Sequence, residues 1–280
     1  MSWTVVAKKD FRDAIRSRTL WVLSALFVLF AAGFTYVFWF IPQLVGQQNL
    51  PASGPTIGLI NGLSSSAGFL VPLIGLLIGY KAIVGERDSG SLKLLLGLPH
   101  SRRDVVLGKF VGRTGVVAVA ILIGFSAGAI IALMLYDSFA FGVFVSYTLL
   151  TMVLGLVFVA IAVGFSAAMR SASRALYGVI GLFVLFVFVW GFVPTVLRFV
   201  LNGFTMPNLL ARPDWAAFIS LLNPTTAYGY ASAALISDLP GPMMQNPPFY
   251  LQDWFGFVIL AGWIVVPLAL GYSRFASTDL

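Results

Sequence analysis

The chain has no cysteine and a single histidine, His100, among its 280 residues. The first absence removes disulfides and thiolate metal sites, and the second leaves little for imidazole ligation or general-base chemistry. Charge is scarce as well. Asp, Glu, Lys and Arg make up 10% of the residues, whereas a water-soluble domain carries about 25% because its surface must face water. No Gly-x-x-x-x-Gly-Lys-Ser/Thr loop occurs: Gly108-Lys109 is followed by Phe110 and lacks the preceding glycine-rich turn, so the chain has no ordinary cradle for ATP. An intramembrane enzyme would need a nucleophile–base pair or a metal-ligand set, and neither stands out.

What is abundant is apolar sequence, 59% of the chain. A helix needs about 20 apolar residues to cross roughly 30 Å of hydrocarbon. Six runs meet that length: residues 20–41, 57–80, 114–136, 143–169, 175–197 and 254–272. Asp, Glu, Lys, Arg and His are all absent from these runs. The reading is an all-α polytopic membrane protein forming one transmembrane domain over residues 1–280, with no cleaved signal peptide. A further uncharged stretch, Trp215–Ile236, is broken at its centre by Asn223-Pro224. It is expected to form two short helices in a hairpin at the outer surface, dipping toward the membrane, within the long loop 198–253.

Orientation follows from the basic residues. Fifteen Lys and Arg lie on one side, in residues 1–19, in the loop 81–113, at Arg170 and Arg174, and at Arg274; the other side has only Arg198 and Arg212. This asymmetry predicts that both termini are cytoplasmic. The formal charge of +7 is therefore a topology and lipid-surface feature and gives no reason to expect nucleic acid.

Two cytoplasmic pieces stand out. Residues 1–19 form an amphipathic pattern in which Trp3, Val6, Phe11, Ala14 and Ile15 share helical spacing and Lys8, Lys9, Arg12 and Arg16 lie mostly elsewhere; such a helix rests in the membrane interface, or serves simply as a positive anchor that fixes the orientation of the first span. The loop 81–113 opens with Glu86-Arg87-Asp88-Ser89-Gly90-Ser91 and continues into Leu92-Lys93-Leu94-Leu95-Leu96-Gly97-Leu98, stopped by Pro99. Ser101-Arg102-Arg103-Asp104 then reads as a capping box that starts the next helix. Five leucines in seven residues of a cytoplasmic loop need a cover, from the chain's own span ends or from a partner protein.

This loop resembles that of ATP-binding-cassette permeases of the type-2 exporter superfamily. The residues that carry the resemblance are Glu86, Ser89-Gly90-Ser91-Leu92, Leu94-Leu95-Leu96, Pro99, Ser101-Arg102 and Gly108-Lys109, with Leu222-Asn223-Pro224 similar to a turn in the outer loop of that family. The chain is also similar to permeases of copper and nitrous-oxide-reductase maturation systems. The resemblance implies that the loop contains a coupling helix seated on a cytosolic ATPase, which binds ATP and magnesium. It implies, too, a second permease copy, identical or related, with the substrate path between the two, and export as the direction. Mapped here, Glu86, Ser91, Leu92, Leu94, Leu95 and Leu98 would form the coupling element, and Arg102 and Arg103 would face acidic residues of the ATPase.

Inside the spans only neutral polar groups remain. Asn61, Ser64, Ser65 and Ser66 are the candidates for lining a path, against the ordinary role of small hydroxyl residues in helix packing. Gly58 and Gly62, Gly75 and Gly79, and Gly124 and Gly128 stand four apart, a spacing that lets backbones approach, by default within one chain. Met206, Met243 and Met244 lie in the outer loop, where thioethers can hold copper(I); without Cys or His, loop packing is the ordinary reading. A stand-alone secondary transporter or channel is the alternative function. The lack of ionisable groups inside the spans and of a clear inverted repeat argues against it.

Overall fold

The computed structural model describes residues 3–16, 18–45, 54–92, 97, 101–208, 213–236, 239 and 246–277. Among these, six helices are long and apolar enough to cross a membrane. The helices are α1 (Trp3–Arg16), α2 (Arg18–Val45), α3 (Gly54–Gly79), α4 (Val84–Asp88), α5 (Arg102–Leu135) and α6 (Phe141–Ala168), followed by α7 (Ala172–Val184) and α8 (Val193–Leu201). After them come α9 (Asp214–Leu221), α10 (Pro224–Leu235) and α11 (Phe255–Ala276). The spans are α2, α3, α5, α6, the composite Ala172–Leu201, and α11. The third span is longer than its apolar run because the Ser101 capping box starts it at Arg102: Ser101 Oγ accepts from Asp104 N–H at 3.1 Å, and Asp104 Oδ2 accepts from Ser101 N–H at 3.1 Å.

The fourth span is the centre of the bundle. In α6, 72% of the apolar window is buried, against 61% for α3, 50% for α5, 33% for α2, 17% for α11 and 11% for the fifth span. Helix α6 packs against α3 on one side and α11 on another, and α5 packs along both α1 and α2. These contacts depend on glycine. A Cβ on Gly108 would stand 2.5 Å from Val6 Cβ, and one on Gly112 would stand 2.9 Å from Asp10 Cβ, so α1 lies on the bare backbone of α5. Further along α5, Gly124 and Gly128 receive Phe27 and Ala31 of α2 in the same way. Gly75 and Gly79 face Phe158 and Ala162 of α6, which makes these two pairs intramolecular contacts; Gly62 meets the Phe38 ring, and Gly58 has nothing near it.

The stretch Trp215–Ile236 forms two helices, α9 and α10, that turn at Leu222-Asn223-Pro224. Asn223 caps α10 by accepting from Thr225 N–H at 2.8 Å, and Pro224 occupies the first turn, where a missing N–H costs nothing. Helix α10 is inserted among the spans. Its buried Tyr228 hydroxyl lies 2.9 Å from Thr151 Oγ1, and Thr151 stands about 15 Å along α6 from Phe141.

Candidate functional site at the basic end

At the end of the bundle that carries α1 and α4, four charged residues from three helices meet. Lys109 Nζ of α5 donates to Asp10 Oδ1 of α1 at 2.9 Å and to Glu86 Oε1 of α4 at 2.5 Å. Arg113, one turn further along α5, forms an ion pair with Asp10, Nε to Oδ2 2.9 Å. The side chains of Asp10 and Lys109 are only 4% and 9% exposed, while Glu86 and Arg113 are 23% and 27% exposed. Removing a charge from water is expensive unless an opposite charge replaces the lost hydration. Two carboxylates and two cations here make a neutral set, so the burial is sustained. Helix α1 therefore docks on α5 through Val6, Ala7, Asp10 and Ala14, while Trp3 and Ile15, expected on its apolar face, are each 40% exposed. The reason is the glycine seat of α5, which selects the small and short residues of α1 for the contact.

A second ring of bonds joins the remaining spans to the same end. Ser166 Oγ of α6 accepts from the N–H groups of Ile83 and Val84, each at 3.1 Å, at the start of α4. Arg87 of α4 donates to the Met169 carbonyl at 2.5 Å, and Asp88 Oδ2 accepts from Ala172 N–H at 2.8 Å at the start of α7. Arg102 donates to the Phe275 and Ala276 carbonyls at the end of α11, and the Arg87 and Arg102 guanidinium groups lie 5.6 and 5.4 Å from the Phe275 ring centre. Asp104 Oδ1 accepts from Trp3 N–H at 3.1 Å, where an anion suits the unpaired donors of the α1 amino terminus. A short helix of five residues, α4, thus touches the base of the third, fourth and fifth spans and lies beside that of the sixth.

Among the described residues, no group of three or more His, Cys, Asp or Glu is placed to hold a metal ion. What it does structurally is join α4 to the ends of several spans. Residues 4–280 match the model of a family described as ABC-2 family transporter protein.

The chain belongs to the ABC-2 transporter family.

Two relatives have the same description, "Probable ABC transporter permease protein NosY". The one from Stutzerimonas stutzeri is 34% identical over 287 residues, covering 96% of this chain and 96% of its own. The one from Pseudomonas aeruginosa is 36% identical over 292 residues, covering 98% and 97%. The protein is accordingly the membrane permease subunit of an ABC transporter, a transporter component whose family membership implies a partner ATPase.

Within this permease, the residues anticipated for coupling separate into groups. Glu86 and Arg102 bond to the chain itself, through Lys109 and through the α11 carbonyls. Leu92 is 1% exposed and belongs to the core, so at that position the cover for the leucine-rich segment is the bundle's own interior. Ser91, whose hydroxyl donates to the Glu86 carbonyl at 3.4 Å, and Arg103 are exposed at the surface. Leu94, Leu95 and Leu98 lie outside the described residues. The path candidates are elsewhere, in the second span. Asn61 and Ser65 are exposed on the outside of this single chain, and Ser64 and Ser66 are half-buried. Ser65 and Ser66 donate to the carbonyls four residues back, Asn61 and Gly62, at 3.3 and 3.4 Å. Met206 is 85% exposed, and Met243 and Met244 lie outside the described residues. Sequence reasoning missed Asp10, Lys109 and Arg113. The available signal was a single buried-face Asp in a basic helix, paired with two cations one turn apart below an apolar span.

Proposed function

We propose that this permease takes its energy from ATP and magnesium bound by a cytosolic ATPase, and that residues 86–103 form the contact. The observation that supports this most is the Asp10–Lys109–Glu86 cluster. It ties α4, directly ahead of the leucine-rich segment, to both α1 and the third span. Pressure on the segment Ser89–Arg103 moves Glu86, and Glu86 carries Lys109 and Asp10 with it. Of the anticipated coupling residues, Ser91 and Arg103 are exposed at the surface, with Leu94, Leu95 and Leu98 as the proposed apolar part of the seat. In this reading the basic end is cytoplasmic, α1 rests against anionic headgroups through Lys8, Lys9, Arg12 and Arg16, and the protein resides in the cytoplasmic membrane. A second permease copy completes the path. Asn61 and Ser65, two polar side chains exposed at hydrocarbon depth, favour a polar partner over lipid. Export, in a system of the copper or nitrous-oxide-reductase maturation type, is the direction we propose.

The test is affinity purification of the full chain in mild detergent. A cytosolic ATPase is expected to accompany it, and replacing Leu94 and Leu95 by Asp is expected to release that ATPase while the membrane domain keeps its elution volume and thermal midpoint. A chain that purifies without any ATPase, and still transports in vesicles free of ATP, would establish the stand-alone transporter instead.

A further inference from the structure

Midway along its length the fifth span departs from α-helical geometry. Trp190 N–H donates back five residues to the Leu185 carbonyl, closing a wide turn over Leu185–Val189, and a tight 3₁₀ turn, Trp190–Phe192, follows. In ordinary α register Trp190 N–H would bond to the Phe186 carbonyl. That carbonyl instead accepts the side-chain N–H of Asn223, at 2.7 Å. Asn223 is 3% exposed, and its other atom, Oδ1, accepts from Thr225 N–H and Thr225 Oγ1 at 2.8 and 2.7 Å. The hairpin is bound in the reverse sense too. Asn223 N–H closes on Ser220, which leaves the Ile219 carbonyl open, and it accepts Trp190 Nε1–H at 2.8 Å. The Leu222 carbonyl, beyond the last turn of α9, accepts Trp263 Nε1–H at 2.8 Å. Two indoles from two spans thus satisfy helix-end carbonyls that have no helical donor. The Phe186 ring fills the space between Phe158, Trp190 and Trp263.

We propose that Asn223 is a positioning residue that holds the fifth span in its wide turn, so that the hairpin α9–α10 and the outer half of the span, Val193–Leu201, move as one body about Leu185–Phe192. The backbone at this point has two discrete registers, because one N–H, that of Trp190, serves either Leu185 or Phe186. Asn223 decides between them. With its amide on Phe186 the wide turn is complete; in the α register the amide must compete with Trp190 N–H for the same carbonyl inside the bundle, which disfavours that register. Wide turns of this kind are stable in a membrane when a side chain satisfies the displaced carbonyl, and they concentrate where helices change shape. The fifth span is also the least buried of the six in this chain, with 11% of its window buried against 72% for the fourth. This inference goes beyond coupling at the basic end and does not require an ATPase.

Hydrogen exchange of the full chain, followed by mass spectrometry, tests it. Asn223→Asp keeps the size of the side chain and the cap acceptor but turns a carboxylate oxygen toward the Phe186 carbonyl. Exchange in residues 185–193 is expected to rise by about tenfold or more, with residues 150–160 of the fourth span unchanged. Thr225→Val, which removes only the hydroxyl contact to Asn223, is expected to leave both regions as they were. Deleting Val189 from the Asn223→Asp chain shortens the wide turn to an ordinary one, makes the side-chain donor unnecessary, and is expected to bring exchange back toward the parent. Exchange within about twofold of the parent in Asn223→Asp, equal acceleration in every span, or no rescue by the deletion would each overturn the proposal.

Discussion

Two regions of this bundle are held by different physics. At the basic end four charges, Asp10, Glu86, Lys109 and Arg113, bind three helices together. Away from it, where the turn of the hairpin reaches the middle of the spans, the hairpin is fastened by neutral hydrogen bonds from Asn223, Trp190 and Trp263. A Coulomb attraction falls off slowly with distance, so an ion cluster stays engaged while its members shift by an ångström or two. A neutral hydrogen bond weakens steeply over the same displacement, so it is made or broken. The ion cluster therefore tolerates small displacements of its members, whereas the hydrogen bonds at the hairpin turn are either made or broken.

The largest expected effect comes from removing the cation at the centre of the basic end. Lys109→Met leaves Asp10 buried with only Arg113 beside it, and breaking a buried pair in this way costs about 3–5 kcal/mol. The expected outcome is a marked drop in thermal midpoint in detergent and new protease cleavage within residues 1–16, as α1 leaves its seat. Next comes Gly108→Val, which attacks the same docking by volume alone, since its Cβ would stand 2.5 Å from Val6 Cβ and 2.8 Å from the Trp3 carbonyl oxygen. Overpacking of this kind costs about 1–3 kcal/mol, and the protease pattern should resemble that of Lys109→Met with a smaller loss of stability. The smallest of the three is Trp263→Phe at the hairpin turn, which keeps the ring contact to Phe186 but removes the donor to Leu222. A loss of about 1 kcal/mol is expected, with α1 as resistant to protease as in the parent. Protection of α1 that fell equally in all three variants would abolish the distinction between the two regions.

The spans were legible because twenty-residue apolar runs have few other readings. The hairpin was legible because Asn223-Pro224 is a helix stop and start in two residues. The ion cluster was not, because Lys109 is 99 positions from Asp10 and 23 from Glu86, and sequence distance says nothing about which loop charges fold inward. Leu92 illustrates the same limit: five leucines among seven residues need a cover, but nothing in their spacing says that Leu92 lies in the core. The wide turn left even less trace. Residues 185–189 are Leu-Phe-Val-Phe-Val, uniformly apolar, and the departure from α geometry is encoded in an asparagine 37 positions away.

The central claim is that force enters at α4 through Glu86 and emerges at the outer half of the fifth span. Because the chain has no cysteine, Leu149→Cys on the central fourth span and Val196→Cys on α8, exposed by 54% and 56%, accept spin labels without background. The measurement is the pulsed electron–electron distance between these labels in the complex with its ATPase, before and after trapping with ATP and magnesium. The account predicts that trapping shifts the distance in the parent, and that Glu86→Ala, with the ATPase still bound and still hydrolysing ATP, leaves it where it began. A shift of the same size in Glu86→Ala would contradict the account.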